Sequence, residues 1–105
     1  MRVTVSHNKS REEVVRAVDR SFDDLVGGIS NLPLQIANEQ RSWQGSTLFF
    51  SLTAKIGFLS SGIKGSIEVT DRDVTIDADL GLLEKLLSAK AARATLEGRV
   101  RGLLQ

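Results

Sequence analysis

This sequence contains few side chains that could take part in catalysis or metal binding, and their spacing does not match a known site of either kind. His7 is the single histidine and cysteine is absent, so a paired-histidine metal site, a thiolate metal site and a thiol nucleophile are excluded. Ser60 and Ser61 lie in a predicted glycine-flanked loop over 57–62, without the Gly-x-Ser-x-Gly elbow or a base to activate them. We therefore expect no catalytic residue, no bound metal and no cofactor.

An acidic run is the next candidate for a metal site. It consists of Asp71, Asp73, Asp77 and Asp79. A calcium loop requires a glycine and a terminal glutamate at fixed positions, and this run lacks that spacing. Alternation places Asp77 and Asp79 on the outer face of a strand and the other two aspartates in a turn, so a solvated face is the better interpretation.

Trp43 is the most informative aromatic residue, because it ends a polar run and precedes Gly45 and the strongest predicted strand. The simpler interpretation is a hairpin tryptophan that covers one end of the core. The alternative is an aromatic at the mouth of a pocket or on an interaction surface with Phe49 and Phe58, since exposed aromatics are enriched where proteins meet apolar partners.

Alternation of apolar and polar side chains identifies the strands that would position these residues. Period two is clearest over 47–56, where the even positions are apolar, and it recurs over 63–69 and 74–80. A short first strand is predicted over 2–6, and the polar run 38–42 suits an edge strand. Together these segments predict an antiparallel meander with one wet face and one face covered by helices.

Two helices are expected to cover that face. Ser10 and Glu13 form a capping box, and apolar residues at spacings of three and four predict one helix that continues to Val26 and ends at Gly27. The second is one long C-terminal helix over 80–105.

The C-terminal helix is predicted to begin after Asp79, which can cap it. Because its apolar stripe drifts, it is expected to bend, to change its packing partner or to fray after Ala94. Its basic residues include Lys90, Arg93 and Arg99. A basic amphipathic helix can lie on an anionic interface, although such a helix more often packs on its own sheet.

Composition limits the class of protein. At 105 residues we expect one domain over the whole chain, and with 41% apolar residues, 26% charged residues and a net charge of +1 the sequence lacks the basic excess typical of nucleic-acid binding. The first residues lack the apolar core of a signal peptide and no apolar run reaches bilayer length, so we expect a cytoplasmic protein without a transmembrane segment. A homodimer through an exposed strand edge is left open.

A set of residues spread over nearly the whole chain carries a family resemblance. The set is Val5, His7, Glu12, Glu13, Trp43, Gly45, Leu48, Phe50, Gly57, Gly62, Ile67, Val69, Val74, Ile76, Leu80 and Leu83. On these residues the sequence resembles the polyhydroxyalkanoic acid system proteins, a small bacterial family. The order β-α-β-β-β-β-α also resembles a compact helix-grip fold of the START and Bet v 1-like kind. The resemblance implies an α+β fold in which the C-terminal helix packs on the concave face of an antiparallel sheet of about five strands.

The resemblance implies a non-enzymatic accessory protein of polyhydroxyalkanoate metabolism, with granule association left open. One hypothesis is a pocket for an apolar ligand or acyl chain between sheet and C-terminal helix. Its candidate lining is Trp43, Leu48, Phe50, Ile67, Ile76, Leu83 and Leu87. The alternative is a structural module that contacts a granule surface or another protein and needs no small-molecule ligand. Its candidate surface is Phe49, Phe58, Lys90, Arg93 and Arg99. The first hypothesis predicts a cavity, and the second predicts a filled core with exposed apolar side chains.

Overall fold

The computed structural model describes residues 1–27, 34–85 and 88–105. The described elements are β1 (Arg2–Ser6), α1 (Arg11–Arg20), α2 (Phe22–Gly27), β2 (Gln35–Gln44), β3 (Thr47–Ile56), β4 (Leu59–Val69), β5 (Asp73–Asp79), a 3₁₀ turn (Gly81–Lys85) and α3 (Ala89–Leu103). The five strands form one antiparallel sheet in the order β1-β5-β4-β3-β2. The predicted α+β class, with a five-stranded antiparallel sheet and a C-terminal helix, is therefore confirmed.

The sheet has one buried face and one open face, as the alternation predicts. On β3 the even positions from Leu48 to Ala54 are buried, while Phe49 and Lys55 are exposed on the other side. The helices cover the buried face: Val14 and Val18 of α1 and Leu96 and Val100 of α3 belong to the same core cluster as the strands.

Two glycines set the hairpin turns. Gly45 and Gly57 have φ angles of +61° and +59°, and each is the first residue of a two-residue turn. The residue after each glycine does not adopt positive φ, which indicates type II′ turns, whose twist matches that of the flanking strands. The predicted loop over 57–62 is wrong, because β4 already begins at Leu59. The buried polar Ser61 occupies an inward position of that strand and interrupts the apolar alternation.

The N-terminal helix begins as predicted but is divided. The Ser10 side chain accepts a hydrogen bond from the Glu13 N–H, which is the serine half of the predicted capping box. The Glu13 carboxylate accepts from the serine hydroxyl and not from the Ser10 backbone N–H, so the full box is not formed. Helix α1 ends at Ser21, where φ is −107°, and α2 begins at the next residue. The break turns Phe22 into the core, where its ring packs edge-on against Phe50 with centroids 5.1 Å apart.

The predicted long C-terminal helix is also divided, and at a different place from the one expected. Asp79 accepts a hydrogen bond from the Gly81 N–H at the start of the 3₁₀ turn, whereas α3 is capped by Ser88. Helix α3 continues past Ala94 to Leu103, so the predicted fraying after Ala94 is wrong. The apparent drift of the apolar stripe arose because Leu82 belongs to the separate 3₁₀ turn and does not share a helical phase with α3.

Ser61 joins the 3₁₀ turn to the sheet. It is the one buried polar residue within the described ranges, and its Oγ donates to the Leu80 carbonyl and accepts from the Leu82 N–H, both at 2.9 Å. Gly81 lies against this contact with φ +59°, and a Cβ there would lie 2.7 Å from Ser61 Oγ and 2.8 Å from the Gly62 carbonyl oxygen. The turn therefore needs both a hydroxyl and a glycine.

Replacing Ser61 with alanine should lower the free energy of unfolding by about 1–2 kcal/mol, because the Leu82 N–H loses its acceptor. The Leu80 carbonyl keeps a bond from the Leu83 N–H, which limits the loss. Urea unfolding measures the change. Ser60→Ala, on the exposed side of the same strand, is the matched control and should leave stability within about 0.5 kcal/mol. Equal losses in the two variants would refute this role.

Gly65 permits a close approach between β4 and β5. A Cβ at this position would collide with the carbonyl oxygen of Asp77 and would lie 2.9 Å from the Cα of Ala78. Both obstacles are backbone atoms, so neither can move aside cheaply. Gly62, on the same strand, has no atom within 4 Å of its would-be Cβ.

Gly65→Ala should therefore lower the free energy of unfolding by about 1–3 kcal/mol through overpacking, measured in urea. Gly62→Ala should have an effect within about 0.5 kcal/mol, because the added methyl group meets open space. The comparison separates the steric effect from the change in backbone entropy, which both variants share. A Gly65→Ala protein as stable as Gly62→Ala would show that β5 does not approach β4 this closely.

Candidate interaction surface

The open face of the sheet is the candidate site. Its outward positions carry many hydroxyl groups, namely those of Thr4, Ser42, Thr47, Ser51, Thr53, Ser66 and Thr75. Phe49 lies among them with 45% of its surface exposed, opposite Ser42 on β2 and Ser66 on β4. None of the described helices covers this face, so an aromatic ring surrounded by small side chains is accessible to a partner there.

A depression runs over this face. One part, of about 770 Å³, is lined by residues that include Phe49, Ser51, Ser66, Lys64 and Asp77. A second part, of about 440 Å³, shares Ser51 and Lys64 with the first. We call the two parts together the trough. Both are open to solvent and follow the strands.

The trough combines apolar surface, hydroxyl groups and balanced charge. Lys64 stands opposite Ser51 on one side and Asp79 on the other, and Ser66 stands opposite Phe49 and Asp77. Its hydroxyls and ammonium group can donate hydrogen bonds while the ring provides an apolar contact. This arrangement suits a ligand or surface that is mostly apolar and carries hydrogen-bond acceptors.

The candidate pocket residues lie on the opposite, covered face. Trp43, Leu48, Ile67 and Ile76 stand side by side on four strands as one cross-strand row, and Phe50 lies in the next row. Leu48, Phe50, Ile67, Ile76 and Leu83 are 0–7% exposed and belong to the core cluster. Leu87 lies outside the described residues. These side chains are packed together, and the pocket stays a prediction.

The candidate surface residues are distributed over three regions. Phe49 lies in the trough, and Phe58 is fully exposed at the turn between β3 and β4. The three basic residues Lys90, Arg93 and Arg99 are exposed on α3, which packs on the covered side of the sheet. The structure therefore does not bring the aromatic and basic groups into one patch.

A cluster around Arg41 joins β2 to the first helices, and the sequence did not reveal it. Arg41 donates to the Asp19 carbonyl at 3.2 Å, and its guanidinium lies 5.1 Å from the centre of the Phe22 ring. Trp43 is half-buried against the core and donates from Nε1 to the Asp19 carboxylate at 3.0 Å. The simpler interpretation of Trp43, as a cover for the core, fits this placement.

A bulge in β2 makes this arrangement possible. The register of β2 against β3 shifts between Ala37 and Gln40, and Asn38 adopts a φ of +55°. The extra residue turns Arg41 toward the helices, although the sequence around it is wholly polar and predicts a solvated edge. An asparagine inside a predicted strand was the available signal, because asparagine tolerates left-handed backbone better than most residues.

His7 is held in the turn after β1. Its Nδ1 accepts a hydrogen bond from the Lys9 N–H at 3.1 Å, which assigns the ring proton to Nε2. Nε2 then donates to the Thr70 carbonyl at 2.9 Å. Among the residues that the structure describes, no group of three His, Cys, Asp or Glu side chains is placed to hold a metal ion. No helix in the described ranges has the length and apolar character needed to cross a membrane.

Comparison with known proteins identifies the family of this chain. The model of the family described as "putative polyhydroxyalkanoic acid system protein" matches residues 1–104. The chain belongs to this family. No curated protein and no solved structure matches it. The polyhydroxyalkanoic acid system family associates the chain with storage-polyester metabolism, and the predicted family resemblance is confirmed.

In this polyhydroxyalkanoic acid system protein, one acidic side chain has a shifted pKa. A hydrogen bond with Asp23 raises the pKa of Glu39 above its ordinary value, and partial burial and the negative charge of Asp23 act in the same direction. Arg41, 3.8 Å from the Glu39 carboxylate, acts in the opposite direction. The bulge thus brings two carboxyl groups together beside one arginine.

This contact predicts a pH-dependent effect of Asp23→Asn on stability. Because the folded protein binds the Glu39 proton more tightly than the unfolded chain does, Glu39 contributes stability at low pH that is lost as pH rises from 4.5 through its raised pKa. Removing the Asp23 charge should make Asp23→Asn more favourable relative to the unsubstituted protein as pH rises from 4.5 toward neutrality. Urea midpoints across this range measure it. Asp24→Asn, the exposed neighbour, should show no such trend, and a flat difference for Asp23→Asn would contradict the coupling.

Proposed function

We propose that this chain is a non-enzymatic accessory protein of bacterial polyhydroxyalkanoate metabolism that binds the polyester surface through the trough. One observation carries the proposal: Phe49 is exposed in the middle of the open face, while the described apolar side chains of the opposite face are buried together in the core. Of the two hypotheses raised by the sequence, a filled core with exposed apolar side chains is what the surface-binding module predicts. The family membership is the reason for proposing polyhydroxyalkanoate as the bound polymer.

The chemistry of the trough fits a polyester. A polyhydroxyalkanoate chain presents alkyl groups and ester carbonyls, so it accepts hydrogen bonds and donates none within the chain. The trough supplies the complement: a ring for the alkyl groups, and the Ser51 and Ser66 hydroxyls and the Lys64 ammonium as donors. Lys64 stands opposite Asp79, so its charge is balanced within the sheet and does not make the surface strongly basic.

A binding role without catalysis agrees with the placement of the single histidine. Both ring nitrogens of His7 are engaged by backbone groups of the β1–α1 and β4–β5 connections. The trough residues Ser51 and Ser66 lie on β3 and β4 and are positioned for contact with a surface. We place the protein in the cytoplasm, at the polymer granule.

We propose that the fold is helix-grip-like. A short first strand, two small helices and a meander precede the C-terminal helix, and the first strand pairs with the last. A pocket between sheet and α3 would require Leu48, Ile67 and Leu83 to separate, since they now pack together at 0–2% exposure. The acyl-binding pocket is therefore the second candidate, and the same experiment can favour it.

Phe49→Ser should weaken binding to lipid-free polyhydroxybutyrate particles about tenfold, because the main apolar contact of the trough is lost. Co-sedimentation over a range of particle concentrations measures the affinity. Phe58→Ser, which removes an even more exposed ring outside the trough, is the matched control and should bind as the unsubstituted protein does.

Two outcomes would overturn the surface role. Undiminished particle binding by a folded Phe49→Ser protein would exclude the trough as the contact. Saturable binding of a soluble short acyl ligand with a change in Trp43 emission would favour the enclosed pocket, since Trp43 borders the core row.

A further inference from the structure

The tip of the hairpin formed by β3 and β4 carries an aromatic residue that neither the core nor the trough uses. Phe58 is the second residue of the turn, and its side chain is fully exposed. Gly57 alone meets the conformational demand of the turn, with φ +59°, so the position after it does not require a bulky residue. Ile56 and Leu59 beside it are only half-buried and extend its apolar surface.

The charge of the outer part of this hairpin has one sign, whereas its base carries Glu68. Between Leu48 and Ile67 the sequence contains two lysines, Lys55 and Lys64, and no acidic residue. Strand β5, which carries Asp77 and Asp79, pairs with β4 only from Lys64 onward. In the tip beyond Lys64, the one charged residue of β3 and β4 is thus Lys55. The 3₁₀ turn, which follows β5 and contacts β4 at Ser61, adds one acid and one base, Glu84 and Lys85, and so leaves this positive charge in place.

Lys55 lies close to the turn. It is exposed and stands opposite Ser60, one pair inward from the Ile56 and Leu59 pair that closes the hairpin. A lysine at that place can keep its ammonium at an interface while its methylene groups follow the apolar tip inward. An aromatic ring at the end with a cation just behind it is the arrangement that favours an anionic interface.

We propose that the β3–β4 tip inserts Phe58 into the surface of an anionic phospholipid layer, with Lys55 against the lipid phosphates. This anchor goes beyond the polymer contact of the trough and uses different residues. One ring and one or two lysines give weak, reversible binding, because each lysine near an anionic surface contributes modestly and a single ring buries a small area. The tip therefore strengthens an attachment that another part of the same molecule makes.

The test is co-sedimentation of the full chain with phosphatidylcholine vesicles that contain or lack phosphatidylglycerol. The protein should bind the anionic vesicles, and Phe58→Ser should bind them about tenfold more weakly. Lys55→Gln should bind about fivefold more weakly, and raised salt should have the same effect as this substitution. Phe49→Ser is the matched aromatic control and Lys90→Gln, on α3, the matched lysine control; both should bind as the unsubstituted protein does.

The anchor is overturned if the protein ignores anionic vesicles, if folded Phe58→Ser binds them undiminished, or if Lys90→Gln loses as much binding as Lys55→Gln. That last result would assign the contact to α3. Lipid-free polyester particles distinguish the two proposals. Phe58→Ser should lose vesicle binding and keep particle binding, and Phe49→Ser should do the reverse. Concentration-dependent dimers abolished by Phe58→Ser would instead show that the tip contacts a second copy of the chain.

Discussion

One cross-strand row of buried side chains holds this structure together. Trp43, Leu48, Ile67, Ile76 and Val3 stand opposite one another from β2 across to β1, and the helices close over them. A shift of any strand by one residue would turn its part of the row out into water, so the row fixes the register of the whole sheet. Because the described side chains of this face are buried together, both proposed contacts use the open face and the end of a hairpin.

Small residues decide where other parts of the chain can approach β4. Gly65 allows β5 to lie close, and Ser61 holds the segment that leads out of β5, where Gly81 comes against it. These three positions bury little apolar surface, yet the topology depends on them. Larger side chains at these positions would move β5 and the 3₁₀ turn away from β4.

The two exposed phenylalanines divide the hairpin into regions of different chemistry. Phe49 lies among hydroxyls and charges of both signs, near the acidic strand β5. Phe58 lies beyond the last pair of β4 with β5, and the charged residue of the hairpin nearest to it in sequence is Lys55. Phenylalanine therefore occupies two different environments on one strand pair. The basic face of α3 lies on the other side of the sheet and does not join either region.

The sequence by itself determined the alternating strands, the helix cap at Ser10 and the class of fold, because burial of one sheet face and helix capping are local patterns. Tertiary structure alone decided the rest. The helix break before Phe22 serves a contact with Phe50, a residue distant in sequence. The direction of Arg41 follows from a bulge that pairing with β3 creates. Packing between distant segments decides which aromatic residues cover the core and which remain exposed. The local periodicity of the sequence does not contain that information.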